Sequence, residues 1–184
     1  MFSWYITATA RACFAALRHI HSVRRSVTRE ALLTLLRALV ITNVDYCSST
    51  LAGVSGALLQ RLQSVLNAEA PLLHELHWLT VPERIQFRLC VLTHRCLHGT
   101  APPYLAETLQ STADVQGRRR LRSASTSTLV VPPTRRSTIG DRAFPAAASR
   151  ALNSLPTSVR EIQSLPAFRR KLKTALFAIS FPAG

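Results

Sequence analysis

Apolar residues recur along this chain at steps of three and four, the period of helices packed on one face. Cys13, Leu17 and Ile20 fall on one side of a helix expected over 8–20. Thr28 suits the N-cap of a second helix, with Glu30 in the first turn where the helix dipole favours a carboxylate. Leu32, Leu33, Leu35, Leu36, Leu39 and Val40 give that helix a wide apolar face, which predicts extensive burial. Asn43 to Gly53 reads as a turn region. Ser55 can cap a third helix, in which Leu58, Leu59, Leu62, Val65 and Leu66 keep the helical step. Pro71 interrupts it, and Leu72, Leu73, Leu76 and Trp78 carry apolar packing into a junction.

Thr80-Val81-Pro82-Glu83 has the form of a capping box, with Thr80 and Glu83 serving each other's amides and Pro82 in the first turn. The helix it opens runs through Ile85, Phe87, Leu89, Cys90, Leu92 and Leu97 to a stop at Gly99. Pro102 and Pro103 start a short helix through Tyr104 and Leu105. From about residue 111 Ser, Thr, Arg and Gly take over, and Leu129-Val130-Val131 is a strand candidate closed by Pro132-Pro133. Helical pattern returns from Ala143 to Leu152, breaks at Asn153-Ser154-Leu155-Pro156, and resumes after Ser164 through Phe168, Leu172, Leu176 and Phe177. The expected fold class is therefore mainly α, an irregular helical bundle. Its expected regions are a helical one over 1–111, a basic extended segment over 112–142, and a C-terminal helical tail over 143–184.

Composition agrees with this and adds one strong signal. Apolar residues make up 47% of the 184, enough for a core, and sparse aromatics leave Leu, Ala and Val to fill it. Lys plus Arg number 23 against nine acids, a formal charge of +14. Only Lys171 and Lys173 are lysine. Arginine's planar fork pairs with phosphate at two points, so an excess of this kind points to nucleic acid. An Arg-rich coding bias with no bound polyanion explains the same excess. Met1-Phe2-Ser3-Trp4-Tyr5 lacks the basic flank and long apolar run of an export signal, and no stretch has bilayer-spanning length. The expectation is an intracellular protein, in nucleus or cytoplasm, with reduced thiols and no membrane partner.

Candidate catalytic chemistry is thin. Cys90, His94 and His98 share one helical face, but Cys96 points elsewhere and one helix cannot wrap a tetrahedral ion. Core cysteines and surface histidines are the expected reading. No Gly-x-Ser-x-Gly or phosphate-cradling glycine loop occurs. The aspartates, Asp45, Asp114 and Asp141, are each isolated. Asp45 in Val44-Asp45-Tyr46-Cys47 reads as a helix-terminal or turn residue rather than a metal ligand. No catalytic, cofactor or metal residue is assigned, and no small-molecule substrate is expected.

The arginine clusters are the binding candidates. Arg24 and Arg25, the run Arg118, Arg119, Arg120 and Arg122, and Arg135 with Arg136 all flank apolar segments. Converging, they would form a phosphate-binding surface with steep salt dependence. Arg169, Arg170, Lys171 and Lys173 suit equally the solvated outer face of the last helix.

An ordered series of short strings carries a family resemblance. It begins with Arg24-Arg25-Ser26-Val27-Thr28-Arg29-Glu30-Ala31-Leu32, Val44-Asp45-Tyr46-Cys47, Leu51-Ala52-Gly53 and Leu62-Gln63-Ser64-Val65-Leu66-Asn67-Ala68. It continues through Leu76-His77-Trp78-Leu79, Pro82-Glu83-Arg84-Ile85, Leu97-His98-Gly99-Thr100-Ala101-Pro102-Pro103-Tyr104-Leu105 and Val130-Val131-Pro132. Gly140-Asp141-Arg142-Ala143-Phe144, Asn153-Ser154-Leu155-Pro156 and Phe168 to Leu176 close it. In this order the strings resemble the C-terminal region of reverse transcriptases encoded by LINE-type (non-LTR) retrotransposons of the jockey superfamily.

The resemblance implies a thumb-like, post-palm helical region whose task is to hold template RNA and target DNA beside a catalytic centre supplied upstream. The family's Tyr-x-Asp-Asp palm site is absent from this sequence, so the implied protein is a non-enzymatic fragment of an RNA-directed DNA polymerase with residual nucleic-acid binding. Two departures are visible. Ala68-Glu69-Ala70-Pro71 stands where the family has a longer helix, and Leu152 replaces a Trp, which implies a void. The alternatives are a standalone basic RNA- or DNA-binding module and a decayed element product with no selected function. Oligomeric state is not specified by the sequence.

Overall fold

A computed structural model describes residues 2–46, 51, 54–68, 77–114, 128–135 and 139–181. The chain is mainly helical, as its periodicity predicts. Helix α1 (Phe2–Val23) is longer at its start than expected, because Ile6 and Ala10 extend the stripe of Cys13, Leu17 and Ile20 and all five are buried. Helix α2 (Arg29–Leu36) is capped as the sequence indicates, the Thr28 hydroxyl accepting from the Ala31 amide at 3.3 Å. A wide π-type turn, Arg37–Ile41, follows and leads into α3 (Thr42–Tyr46).

Two expectations fail here. The apolar face of 32–40 is only partly covered: Leu36 and Val40 are buried, whereas Leu39 stands 43% exposed. The turn region expected from Asn43 begins instead as helix. Thr42 Oγ1 donates to the Arg37 carbonyl and Asn43 Nδ2 to the Leu39 carbonyl, so side chains that often stop helices bond back along this one.

Helix α4 (Gly56–Asn67) packs on α1 and buries Leu62, Val65 and Leu66. Helix α5 (Val81–Leu97) is the spine of the molecule. Its Val81, Ile85 and Leu89 enter the first core with α1 to α4. Cys90 enters a second core with residues from the C-terminal third. Thr80 is the N-cap and Pro82 lies in the first turn, but the reciprocal capping-box bonds are not formed. Tertiary partners take their place: the Thr80 amide donates to Ser180 Oγ at 3.4 Å and the Val81 amide to Gln63 Oε1 at 2.8 Å. Glu83 keeps Oε2 buried with no hydrogen-bond partner among the described residues. At the other end Gly99, at φ +66°, closes a Schellman turn in which the Thr100 amide reaches the Arg95 carbonyl and the Gly99 amide that of Cys96.

The short α6 (Pro103–Ala106) is followed by a single antiparallel bridge, Ser111 to Leu129. The strand expected at 129–131 is thus one bridge, because its other edge is held by a side chain. Asn153 accepts from the Leu129 amide at 2.9 Å and donates to the Leu129 carbonyl at 2.8 Å, standing in for a neighbouring strand. Asp141 accepts from Thr134 Oγ1 at 2.7 Å and from Arg150 at 2.8 Å, which ties residue 134 to the next helix and holds the Asp141 carboxyl below its usual range.

Helices α7 (Phe144–Asn153), α8 (Thr157–Arg160) and α9 (Leu165–Ser180) complete the chain, and α7 and α9 both pack against α5. Phe168, Leu172 and Leu176 form a fully buried stripe on α9. Each contributes roughly 1.5–3 kcal/mol relative to exposure. Leu152 is 3% exposed and belongs to the same core. No helix among the described residues is long and apolar enough to cross a membrane.

Candidate functional site

Helix α5 has two working faces. Ile85, Leu89 and Cys90 turn into the cores, while Arg84, Arg88, Val91, Leu92 and Arg95 form a stripe on the opposite side. Their steps of four, three, one and three keep them on one face of a helix. On α9, Arg169 and Lys173 lie one residue beyond the buried Phe168 and Leu172, about 100° around the helix, and so face the same side as that stripe. The π-type turn adds Arg37 and Ile41.

Together these residues line an open groove of about 720 Å³. Six cationic side chains, Arg37, Arg84, Arg88, Arg95, Arg169 and Lys173, border it among the described residues. The floor is apolar, made by Trp78 with Leu79, Phe87, Val91 and Leu92. His77 precedes the indole in a left-handed conformation (φ 51°) that few residues with a Cβ adopt, and its ring sits 5.0 Å from that of Phe177. The Arg37 and Arg84 guanidinium carbons lie 5.8 Å and 6.0 Å from the Trp78 ring centre, within cation–π range.

Among the described residues one anion faces this array. Asp45, at the end of α3, accepts from Arg84 at 2.9 Å and lies 3.2 Å from Arg88. Arg84 also donates to the Leu79 carbonyl at 2.8 Å and is 11% exposed, so it is held firmly, whereas Arg88 is 42% exposed. A carboxylate bridging two guanidinium groups occupies the geometry a phosphate would take. The expected helix-terminal position of Asp45 is observed. Its two arginine partners on α5, Arg84 and Arg88, are what the sequence left unseen.

The predicted arginine sites fall differently. Arg24 and Arg25 are exposed just beyond α1 and are not part of the groove lining. Arg135 is exposed, likewise outside it. Arg118, Arg119, Arg120, Arg122 and Arg136 lie outside the described residues. Of the last cluster, Arg169 and Lys173 join the groove while remaining exposed. Arg84, Arg88 and Arg95 are not among the arginines the sequence singles out, because they are interleaved with the apolar residues of α5. Their repeat at four and seven residues was the available signal.

Among the described residues no group of three or more His, Cys, Asp or Glu is placed to hold an ion. The expectation of surface histidines is corrected at His94, which is 3% exposed. Its Nε2 lies 2.8 Å from the Ile162 carbonyl, so that nitrogen carries the proton and Nδ1 is left as a buried acceptor with no hydrogen-bond partner among the described residues. The ring stacks between His98 at 4.0 Å and Phe168 at 4.3 Å. Burial, with a further push from His98, lowers its pKa against the raising effect of the Ile162 bond. Burial raises the Cys90 thiol to about 12, and the buried Cys13 and Cys96 thiols are raised for the same reason.

No protein-family model, no curated protein and no solved structure matches this chain.

Proposed function

We propose that this protein is a non-catalytic nucleic-acid-binding unit, derived from the region that follows the palm in a LINE-type retrotransposon reverse transcriptase. The groove between α5 and α9 carries the reading: six cations border an aromatic floor, which suits a polyanion bearing flat rings. The net charge of +14 supports the same partner class, since long-range attraction speeds capture of a phosphate backbone. The ordered family-like strings support the origin and assign the role of holding a strand rather than copying it. The arginines at 24–25, 118–122 and 135–136 serve this reading as further phosphate contacts outside the groove.

The test is fluorescence anisotropy of labelled RNA and DNA with the purified chain at two or more salt concentrations. Binding that weakens steeply with salt is expected, with a slope of about −0.7 per phosphate on single strands and −0.9 on duplexes. Arg88→Ala with Lys173→Ala should lower both affinity and slope, because both side chains border the groove and are exposed. Aggregation without binding would favour a decayed product with no selected function. Incorporation of nucleotides on a primed template would overturn the non-catalytic assignment.

A further inference from the structure

We propose that the groove selects unpaired nucleotides, with a base laid against the Trp78 indole and the adjoining phosphates held by Arg37, Arg88 and Arg95. This rests on the nucleic-acid reading above and narrows it to a single strand. Three observations point the same way. The first is the floor. Trp78, Leu79, Phe87, Val91 and Leu92 present apolar surface at the bottom of a cationic rim. A duplex turns phosphates, sugars and base edges outward and keeps the flat faces of its bases in its own stack. It has nothing to lay on an indole, whereas an unpaired strand exposes those faces.

The second is size. A volume of about 720 Å³ falls among pockets that enclose small organic molecules, about 300–1,000 Å³, and has room for one or two nucleotides. A double helix, whose major groove alone is about 12 Å wide, cannot enter it. The third is the rim itself. Arg88 and Arg95 share one stripe of α5, about 10 Å apart along its axis, with Lys173 across the groove on α9. A strand running along α5 therefore meets a cation at each end of the indole floor.

Arg84 and Arg37 take different parts. Arg84 is fixed beside the ring by Asp45 and the Leu79 carbonyl. Arg37 lies near the same ring but is solvent-exposed, so it can swing from the indole to a phosphate when a base takes its place. Asp45, already bridging Arg84 and Arg88, competes with a phosphate for Arg88 and so favours ligands that also stack.

Trp4 and Trp78 are the two tryptophans, and Trp4 is 79% exposed on α1. In the full chain carrying Trp4→Phe, intrinsic fluorescence therefore reports Trp78 alone. Four probes of equal length, about 12 nucleotides, are titrated: a thymidine strand, a uridine strand, an abasic strand with the same phosphates, and a blunt duplex. Both base-bearing strands should quench the indole and bind roughly tenfold or more tighter than the abasic strand or the duplex. Trp78→Leu should erase that margin and leave duplex binding unchanged, while Trp78→Phe should keep most of it. Trp78 packs on the first core, so melting of each variant is followed by circular dichroism. If Trp78→Leu does not fold, the thymidine-against-abasic comparison on the parent decides alone. Equal binding of strand, abasic strand and duplex overturns the selectivity while leaving the nucleic-acid reading standing. No binding by any probe overturns both.

Discussion

Replacing Asp45 with asparagine should weaken the fold and tighten polyanion binding in the same molecule. The carboxylate accepts from Arg84 at 2.9 Å, and that guanidinium is 11% exposed. A hydrogen bond to a charged group contributes about 1.5–3 kcal/mol, and asparagine keeps a neutral acceptor, so the loss at Arg84 is about 1–2 kcal/mol. Arg88 is 42% exposed, where solvent screening limits its share to about 0.5 kcal/mol. The sum, about 1.5–2.5 kcal/mol, corresponds to a drop of roughly 3–10 °C in Tm for a chain of this size. Binding moves the other way. Removing one negative charge about 7 Å from a bound phosphate relieves about 0.6–2.4 kcal/mol between bulk-water and near-surface dielectric limits. At about 1 kcal/mol the strand binds roughly fivefold tighter, and the salt slope steepens by about 0.7 if the released arginines take one more phosphate. Calorimetry gives the first number and anisotropy across a salt series the second. A variant that stays folded and binds no tighter would refute the idea that Asp45 competes with phosphate for Arg84 and Arg88.

Other consequences follow from the cores. His94 is held neutral below the usual histidine range, so below about pH 6.5 the unfolded chain takes a proton that the folded chain refuses, and stability falls with pH through the folded pKa. His94→Gln, which keeps a donor for the Ile162 carbonyl, should flatten that part of the profile in melts between about pH 7 and about pH 5. Cys90, buried and raised to about 12, should resist thiol reagents in native buffer and react at once in denaturant, as mass spectrometry would read by residue. Gly140→Ala would set a methyl 2.7 Å from Thr134 Cβ, a branched and stiff neighbour, and should cost about 1–3 kcal/mol in denaturant unfolding.

The helices were legible because their apolar stripes repeat at helical steps. Leu62, Val65 and Leu66, and likewise Phe168, Leu172 and Leu176, are buried where the spacing places them. What local pattern could not carry was tertiary. The N-terminus of α5 looked self-sufficient in Thr80 and Glu83, yet its amides are served by Gln63 and Ser180, which are distant in sequence. Asn153 reads as a helix breaker, and nothing local announces that its amide clamps Leu129. The groove was half visible. Arg169 and Lys173 stood out as a cluster, but the stripe of Arg84, Arg88 and Arg95 is interleaved with core residues and hides inside an apolar pattern. Runs of adjacent arginines draw attention in a sequence, whereas arginines spaced by a helical turn converge in space.

Placement of the strand in the cleft between α5 and α9 is tested most directly by photo-crosslinking. A strand carrying 4-thiouridine is irradiated with the chain, digested, and its adducts mapped by mass spectrometry. Adducts are expected on the peptide containing Trp78 and on those from Val81–Leu97 and Leu165–Ser180. Adducts confined to Arg24–Arg25 or to the 118–122 run, with Trp78 unmodified, would contradict it.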